Sequence, residues 1–180
     1  MPIVRGKDIE VLYSASTIAR RNLELAKEIA EHHYHDLLVI SVLKGSFIFA
    51  ADLIRAMHDV GLEPEVEFIF ISSYGAGTTS GEVRVLRDID NDVKGRDVLL
   101  IDDILESGKT LSYTRGLMME RGARSCSIAV LLDKRMRRQT DLDADYVGFD
   151  CPDHFVVGYG MDVAHAFREL PFVGVVKGDA

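Results

Sequence analysis

The chain has 180 residues, of which 47% are hydrophobic, and it carries a formal net charge of −8. This size and composition predict one globular domain with a sizeable core, and the acidic balance argues against general binding to nucleic acids or anionic membranes. No apolar run approaches the roughly 20 residues of a membrane span, and the first residues, MPIVRGKDIEV, lack the apolar core of a secretory signal. We therefore expect a cytoplasmic protein. Its two cysteines, Cys126 and Cys151, are expected to be buried free thiols rather than a disulfide or a metal site.

Helical and strand patterns alternate along the chain. Ser16 is predicted to cap a first helix whose apolar positions include Ile18, Leu25 and Ile29, and Gly122 is predicted to end the third helix. The predicted strands cover residues 37–43, 66–71, 98–101, 125–132 and 145–149, and the later helices cover 47–58 and 110–121. Such alternation predicts an α/β fold with a mainly parallel central sheet flanked by helices.

The most informative stretch is residues 98–111, VLLIDDILESGKTL. Two adjacent carboxylates, Asp102 and Asp103, follow a buried strand, and Glu106 adds a third in the next loop. Ligands of open α/β sheets bind outside the carboxyl ends of strands, and the N–H groups and dipole of a helix N-terminus attract phosphate. The stretch therefore offers acceptors for hydroxyl groups beside a phosphate cradle, which a sugar phosphate would fit. The candidate cradle residues are Ser107, Gly108 and Thr110.

Gly108, Lys109 and Thr110 also match the end of the nucleotide-binding P-loop, GxxxxGK[ST]. The first glycine of that motif would fall at Asp103, whose carboxylate would repel a polyphosphate. A solvated strand end is the other simple explanation of the acidic pair. Clustered carboxylates before a phosphate-like cradle repel each other unless a ligand uses them, which favours a ligand site.

The stretch resembles the phosphoribosyl diphosphate (PRPP) motif of the type I phosphoribosyltransferases, and the wider chain resembles their 6-oxopurine branch, the hypoxanthine(-guanine) phosphoribosyltransferases. Further blocks occur in the family's order: LKGS at 43–46, SSYG at 72–75, LDKR at 132–135, PDHFVVGYGMD at 152–162 and FRELP at 167–171. The resemblance implies the type I fold over residues 1–180 as a single domain. Its core would cover about 37–150, and a small hood would come from about 1–15 and 151–180.

The resemblance implies transfer of a 5-phosphoribosyl group from PRPP to a purine nitrogen, with release of pyrophosphate. Asp102 and Asp103 would lie near the ribose hydroxyls, directly or through Mg²⁺, for which carboxylates are suitable ligands. Glu106 would be the general base near N7 of the purine, a role typically worth about 10² to 10⁴ in rate. The usual family pattern has Asp at position 106 and Glu at 102, so this chain exchanges the two. The 5′-phosphate would bind in the loop formed by Ser107, Gly108, Lys109 and Thr110.

The other implied roles concern the base and the pyrophosphate. Lys134 would donate to the 6-oxo group, which an ammonium suits because it cannot accept a hydrogen bond from the amino group of adenine. Phe155 would stack on the purine, and Val156 would meet the base edge through its backbone. Asp162 would adjoin the base and reach Mg²⁺ on the pyrophosphate, and Arg168 would bind pyrophosphate oxygens.

The glycine-rich segment 72–81, SSYGAGTTSG, is predicted to be a flexible loop. By resemblance, Ser73 and Tyr74 would belong to a lid that excludes water from the site. The backbone of Lys44 and Gly45 would complete the pyrophosphate site, and in the family the peptide bond before this lysine can be cis. The arginines that follow Lys134 could serve a subunit contact or act on phosphates of a neighbouring chain.

The sequence thus predicts a purine-salvage enzyme that uses PRPP, a 6-oxopurine and Mg²⁺, with no nucleic-acid or membrane partner, as a homodimer or homotetramer. Two alternatives stay open. One is a nucleotide-sensing regulator on the same fold that binds nucleic acid, which a basic face built from Arg135, Arg137 and Arg138 would favour. The other is a phosphoribosyltransferase that prefers xanthine.

Overall fold

The computed structural model describes residues 1–73 and 82–178. The strands are β1 (Ile3–Val4), β2 (Lys7–Tyr13), β3 (Leu38–Leu43), β4 (Glu65–Ser73), β5 (Val83–Arg87), β6 (Asp97–Leu105), β7 (Ser125–Asp133), β8 (Tyr146–Asp150), β9 (Val156–Val157) and β10 (Val173–Lys177). The helices are α1 (Ala15–Glu31), α2 (Phe47–Asp59) and α3 (Lys109–Glu120), with a short 3₁₀ turn at Arg135–Arg137. None of these helices is both long and apolar enough to cross a membrane.

The central sheet has six strands in the order β5–β4–β3–β6–β7–β8. All neighbours pair in parallel except β5, which lies antiparallel to β4 at one edge. The predicted α/β class with a mainly parallel sheet is confirmed.

Helices cover both faces of this sheet, which explains the continuous apolar runs of β3 and β6. On one face α1 and α2 pack against alternate strand residues, among them Val39, Leu99 and Ile101. On the other face α3 packs against the intervening residues, among them Leu38, Ile40 and Leu100. Both cysteines are free thiols; Cys151 is buried as expected, whereas Cys126 is only partly buried.

Two helix starts differ from the sequence predictions. The cap of α1 is Ser14, whose Oγ accepts from the N–H of Thr17 at 3.2 Å, and not Ser16, which lies in the first turn. Strand β2 ends one residue before Ser14, so the extended backbone that a cap requires is available there. Helix α3 begins one residue earlier than predicted, after Gly108, and Gly122 follows its last turn with a φ of +89°.

The small sheet joins the two ends of the described chain in the antiparallel order β1–β2–β10–β9. Ile9 from one end and Val157 from the other are fully buried in its own apolar cluster, together with Phe167 and Leu170. The two ends of the described chain thus form a second, smaller sheet, and we refer to this sheet with the segment between β9 and β10 as the hood. The small sheet brings the segment between β9 and β10 to the functional site.

Candidate active site

Strand β6 runs past its neighbour β3, which determines where its carboxylates lie. Pairing with β3 ends at Ile101, whereas pairing with β7 continues to Leu105. Asp102 and Asp103 therefore lie within β6, whereas the sequence analysis predicted that they follow it. The N–H of Asp103 donates to Asp102 Oδ1 at 2.8 Å. Burial, followed by repulsion from Asp103, raises the pKa of Asp102 well above its ordinary value.

The turn from β3 into α2 packs directly against Asp103. A Cβ atom on Gly45 would lie 2.0 Å from Asp103 Oδ2, so the turn needs glycine to approach this closely. The peptide bond between Leu43 and Lys44 is cis. Ser46 donates through Oγ to the Val42 carbonyl oxygen at 2.5 Å and closes the turn. The backbone predicted to hold pyrophosphate therefore adjoins the predicted ribose carboxylates.

The turn from β6 into α3 has the form of an anion cradle. Gly108 is the N-cap with a φ of +85°, and Ser107 Oγ accepts from the N–H of Lys109 at 3.3 Å. The first turn of α3 has no capping side chain and no acidic residue in the described structure, so its dipole favours an anion. A cavity of about 340 Å³ lies at this turn. It brings together these predicted residues: Ser73, Asp102, Asp103, Glu106, Ser107, Gly108 and Thr110.

Residues 138–140 support this cradle from behind. The N–H of Gln139 donates to the carbonyl oxygen of Ser107 at 2.9 Å. A Cβ atom on Gly108 would lie 2.1 Å from Thr140 Oγ1, so this glycine is needed for space as well as for its positive φ. The shape of the cradle thus depends on a segment about thirty positions further along the chain.

Lys134 is a buried cation at the end of β7. The residue is 4% exposed, and its N–H donates to the Leu105 carbonyl oxygen at 2.9 Å. Its Nζ lies 3.5 Å from Oε1 of Glu106, which keeps 41% of its side chain exposed. A buried ammonium requires a polar or anionic partner, and Glu106 provides one. The predicted base-recognition lysine and the predicted general base therefore face each other.

Two of the arginines after Lys134 share a buried carboxylate. Arg135 Nε lies 3.2 Å from Asp133 Oδ2, and Arg138 pairs with the other oxygen of Asp133. Arg138 also donates to the carbonyl oxygen of Glu106 at 3.1 Å. These partners lie within the same chain, and Arg138 has a structural role below the cradle.

Arg137 faces the site instead. Its Nε lies 2.8 Å from Asp153 Oδ1 and 3.9 Å from Glu106 Oε1. Arg135 and Arg138 thus share Asp133, whereas Arg137 pairs with Asp153, so each of these three arginines has a carboxylate partner within the chain.

The hood supplies the remaining predicted residues. Val156 is 4% exposed and pairs with Val175 of β10, whereas Phe155 is 67% exposed and free to meet a ligand. Arg168 donates through Nη1 to the Gly160 carbonyl oxygen at 2.6 Å, and its Nη2 lies 3.2 Å from Asp162 Oδ2. The hood thus places the ring of Phe155 and the guanidinium of Arg168 at different positions along the segment 155–168.

A cavity of about 450 Å³ lies between the hood and the carboxyl edge of the central sheet. It brings together these predicted residues: Lys44, Gly45, Asp103, Glu106, Lys134, Phe155, Val156, Asp162 and Arg168. Asp103, Ile104 and Glu106 also line the 340 Å³ cavity, so the two spaces adjoin. Lys109 lines neither cavity, and Tyr74 lies outside the described residues.

Sequence reasoning missed part of the cavity wall, formed by Phe70, Ile71, Arg137 and Met161. The first two come from β4, which is adjacent to β3 and ends at the same edge. The expected parallel order could have indicated them, because parallel strands present their carboxyl ends together. No sequence pattern indicated Arg137, because the direction of its side chain depends on the ion pair with Asp153.

Comparisons with known proteins agree with this arrangement. The family described as the phosphoribosyl transferase domain matches residues 8–164. Hypoxanthine-guanine phosphoribosyltransferase of Bacillus subtilis is 47% identical over 173 residues, which cover 94% of each chain. Hypoxanthine phosphoribosyltransferase of Escherichia coli K12 is 41% identical over 172 residues, covering 93% of this chain and 95% of the relative.

Solved structures give the same result for the fold. Trypanosoma cruzi hypoxanthine phosphoribosyl transferase superposes with a TM-score of 0.91 at 39% identity, covering 98% of this chain and 95% of the other. A hypoxanthine phosphoribosyltransferase from Staphylococcus aureus superposes with a TM-score of 0.87 at 39% identity, covering 93% and 91%. The chain belongs to the phosphoribosyltransferase family and, within it, to the hypoxanthine(-guanine) phosphoribosyltransferases.

Proposed function

We propose that this protein transfers the 5-phosphoribosyl group of PRPP to N9 of hypoxanthine and of guanine in purine salvage. The bond between the anomeric carbon and the pyrophosphate oxygen breaks, the bond from N9 to that carbon forms, and the purine loses a proton. The observation that carries the proposal is the pair of adjoining cavities that share Asp103 and Glu106. One has the N–H groups of an anion cradle, and the other has a buried ammonium beside an exposed aromatic ring.

In this mechanism the carboxyl edge of the central sheet holds the sugar phosphate. The cradle from Ser107 to Thr110 binds the 5′-phosphate through backbone N–H groups and hydroxyls. Asp102 and Asp103 accept hydrogen bonds from the ribose hydroxyls. Burial, followed by repulsion from Asp103, raises the pKa of Asp102, and hydrogen bonds donated by the ribose hydroxyls would offset both effects.

Base recognition in this mechanism rests on Lys134, Glu106 and the hood. Lys134 donates to the 6-oxo group, and Glu106 accepts a proton at N7. Their separation of 3.5 Å suits neighbouring atoms on the edge of one purine ring. Phe155 covers the face of the ring, and the backbone of Val156 meets its edge. Adenine has an amino group in place of the 6-oxo group and offers Lys134 no acceptor at that position. The site should therefore discriminate strongly against adenine.

The pyrophosphate end fits a magnesium ion in its donor chemistry. Within residues 1–73 and 82–178 no three His, Cys, Asp or Glu side chains are grouped to hold a metal by themselves. Mg²⁺ usually takes one or two protein carboxylates and fills its other positions with water and substrate phosphate. Asp103 and Asp162, which line the same cavity, would be its protein ligands, with Asp102 beside them. The ion would neutralise charge on the leaving pyrophosphate, while Arg168 binds its oxygens.

The experiment measures nucleotide formation from PRPP with hypoxanthine, guanine, xanthine or adenine, with and without Mg²⁺. Magnesium-dependent turnover of hypoxanthine and guanine, with adenine inert, is expected. A preference for xanthine would reassign the substrate. Tight PRPP binding without turnover of any base would favour the regulator and contradict the proposal.

We further propose that the protein is a homodimer or homotetramer. The support is the resemblance, together with exposed apolar side chains on the described surface such as Ile3, Phe68 and Met136. Sedimentation equilibrium tests this assignment directly, and a monomer at micromolar concentration would contradict it.

A further inference from the structure

Tyr159 lies outside the linings of both cavities, yet its hydroxyl is fixed from two sides. The residue is 5% exposed, its hydroxyl donates to Asp52 Oδ2 at 2.5 Å, and it accepts from Asn22 Nδ2 at 3.0 Å. Burial, followed by the hydrogen bond to Asp52, raises the pKa of Tyr159, so the hydroxyl keeps the proton that it donates. Asn22 belongs to α1 and Asp52 to α2, so the tyrosine ties the hood to both helices.

The backbone next to this hydroxyl anchor leads to the pyrophosphate end of the site. The N–H of Tyr159 donates to the Leu170 carbonyl oxygen at 2.8 Å, and that of Gly160 to the Arg168 carbonyl oxygen at 3.0 Å. Arg168 returns a hydrogen bond to the Gly160 carbonyl oxygen and pairs with Asp162. Tyr159 has a φ of +50°, a backbone conformation uncommon for a side-chain-bearing residue. Its fixed side chain therefore helps to set the path of this segment.

The same anchor also reaches the turn at Gly45. A Cβ atom on Gly160 would lie 2.6 Å from the Gly45 carbonyl oxygen, so the two glycines are in close contact. Helix α2 begins at Phe47, two residues after Gly45, and carries Asp52 further along. Helix α2 therefore follows the Gly45 turn at its start and, through Asp52, binds the hydroxyl of Tyr159 further along.

The base end of the site is held in another way. Val156 and Val157 pair with Val175 and Gly174 of β10, and Val157 is fully buried. Ladder hydrogen bonds and packing fix this part of the hood independently of the tyrosine hydroxyl. A change confined to that hydroxyl should therefore affect one end of the site more than the other.

We propose that Asn22, Asp52 and Tyr159 form a positioning network that fixes Arg168 and the Gly45 turn for the pyrophosphate group. The network touches no substrate and acts through Arg168 and Gly160. This inference rests on the proposed function, because that function assigns the pyrophosphate to Arg168.

The test is Tyr159→Phe, which removes only the hydroxyl. The KM for PRPP is expected to rise about tenfold, since one hydrogen bond to a carboxylate is lost from the support of the arginine. The KM for hypoxanthine should change less than about twofold. Asp52→Asn keeps an acceptor for the hydroxyl and should give a smaller rise, whereas Asp52→Leu should match Tyr159→Phe.

Tyr34→Phe is the matched control. The hydroxyl of Tyr34 also forms two hydrogen bonds, with Tyr146 Oη at 2.7 Å and Ser127 Oγ at 2.9 Å, at the opposite edge of the central sheet. Its loss should lower the Tm without changing either KM. Equal rises in both KM values after Tyr159→Phe, or an unchanged KM for PRPP, would overturn the network and leave it a purely structural contact.

Direct binding separates this inference from the proposed function. Titration calorimetry with pyrophosphate, with and without Mg²⁺, should show about tenfold weaker binding by Tyr159→Phe than by the wild-type chain or Tyr34→Phe. Pyrophosphate binding that depends on the hydroxyl in a chain without transferase activity would keep the network and refute the function. Wild-type protein that binds no pyrophosphate under either condition would overturn both.

Discussion

The two ends of strand β6 use carboxylates in opposite ways. At the amino end, buried Asp97 accepts from the N–H of His35 at 2.6 Å and from Ser125 Oγ at 2.8 Å, with Arg124 Nη1 3.5 Å away. Burial acts to raise the pKa of Asp97, but these partners outweigh it and lower the pKa. At the carboxyl end, burial and Asp103 raise the pKa of Asp102. The amino end stabilises the fold, whereas the carboxyl end, under the proposed function, offers its carboxylate oxygens to the ribose of the substrate.

The largest effect is expected at the carboxyl end, from Glu106→Gln. Loss of the proposed base should lower kcat by about 10² to 10⁴ with both substrates saturating, and the Tm should stay close to that of the wild type. Steady-state kinetics and thermal unfolding test this, with Glu120→Gln on the exposed end of α3 as the control. Near-normal turnover by Glu106→Gln would remove the residue from the mechanism.

At the amino end, Asp97→Ala should act on stability alone. It leaves the His35 N–H and the Ser125 hydroxyl without their acceptor, so the free energy of unfolding should fall by about 3 kcal/mol. Urea titration measures this, and both KM values should remain those of the wild type. A changed KM for PRPP would show that the two ends are not separable.

Asp102→Asn should have the opposite effects to Asp97→Ala: a higher stability and a changed KM for PRPP. In protein free of metal and substrate, replacing a carboxylate that is disfavoured by burial and by repulsion from Asp103 should raise the free energy of unfolding by about 1 kcal/mol. The KM for PRPP should rise, because an acceptor for ribose or for magnesium is weakened. A loss of stability as large as that of Asp97→Ala would mean that Asp102 supports the fold.

The smallest and most selective effect is in the pH dependence. A lowered folded pKa means that the stability contributed by Asp97 is present above about pH 4 and lost as the pH falls through that folded pKa. For Asp102 the sign reverses, since a raised folded pKa makes the folded state bind more protons, so stability is lost as the pH rises above about 4. Urea titrations of metal-free protein should show the free energies of unfolding of Asp97→Ala and Asp102→Asn approaching that of the wild type on acidification. Asp97→Ala should approach it from below and Asp102→Asn from above. If the two differences from the wild type changed in the same direction with pH, the two ends of β6 would not differ in the way described.

Local sequence determined most of the central sheet. The apolar runs of β3, β6 and β7 are visible without tertiary information, because helices bury both faces of these strands. Strands β4 and β8 were also predicted, although Phe68 of β4 is half exposed. The end of β6 was misjudged because pairing with β7 extends the strand through polar residues. The small sheet contains two-residue strands, β1 and β9, which are too short to show a periodic pattern, and its pairing of β2 with β10 joins residues far apart in the chain.

The candidate site divides in the same way. Asp102, Asp103, Glu106 and the cradle lie on one continuous stretch, so spacing alone indicated a sugar-phosphate site. Roles for Lys134 and for the hood came only through the resemblance, and they remain proposals. The network at Tyr159 joins residues 137 positions apart, Asn22 and Tyr159, and no local pattern could have indicated it.

The hydrogen bond from Gln139 to Ser107 has a consequence for engineering base selectivity. The segment after Lys134 is the obvious target for a mutant library, because Arg137 lines the cavity proposed to bind the purine. Its continuation at Gln139 and Thr140 also shapes the turn proposed to hold the sugar phosphate. Randomising this segment would therefore be expected to weaken PRPP binding while it changes base selectivity. Phe155, exposed and outside that linkage, is the safer place to begin directed evolution.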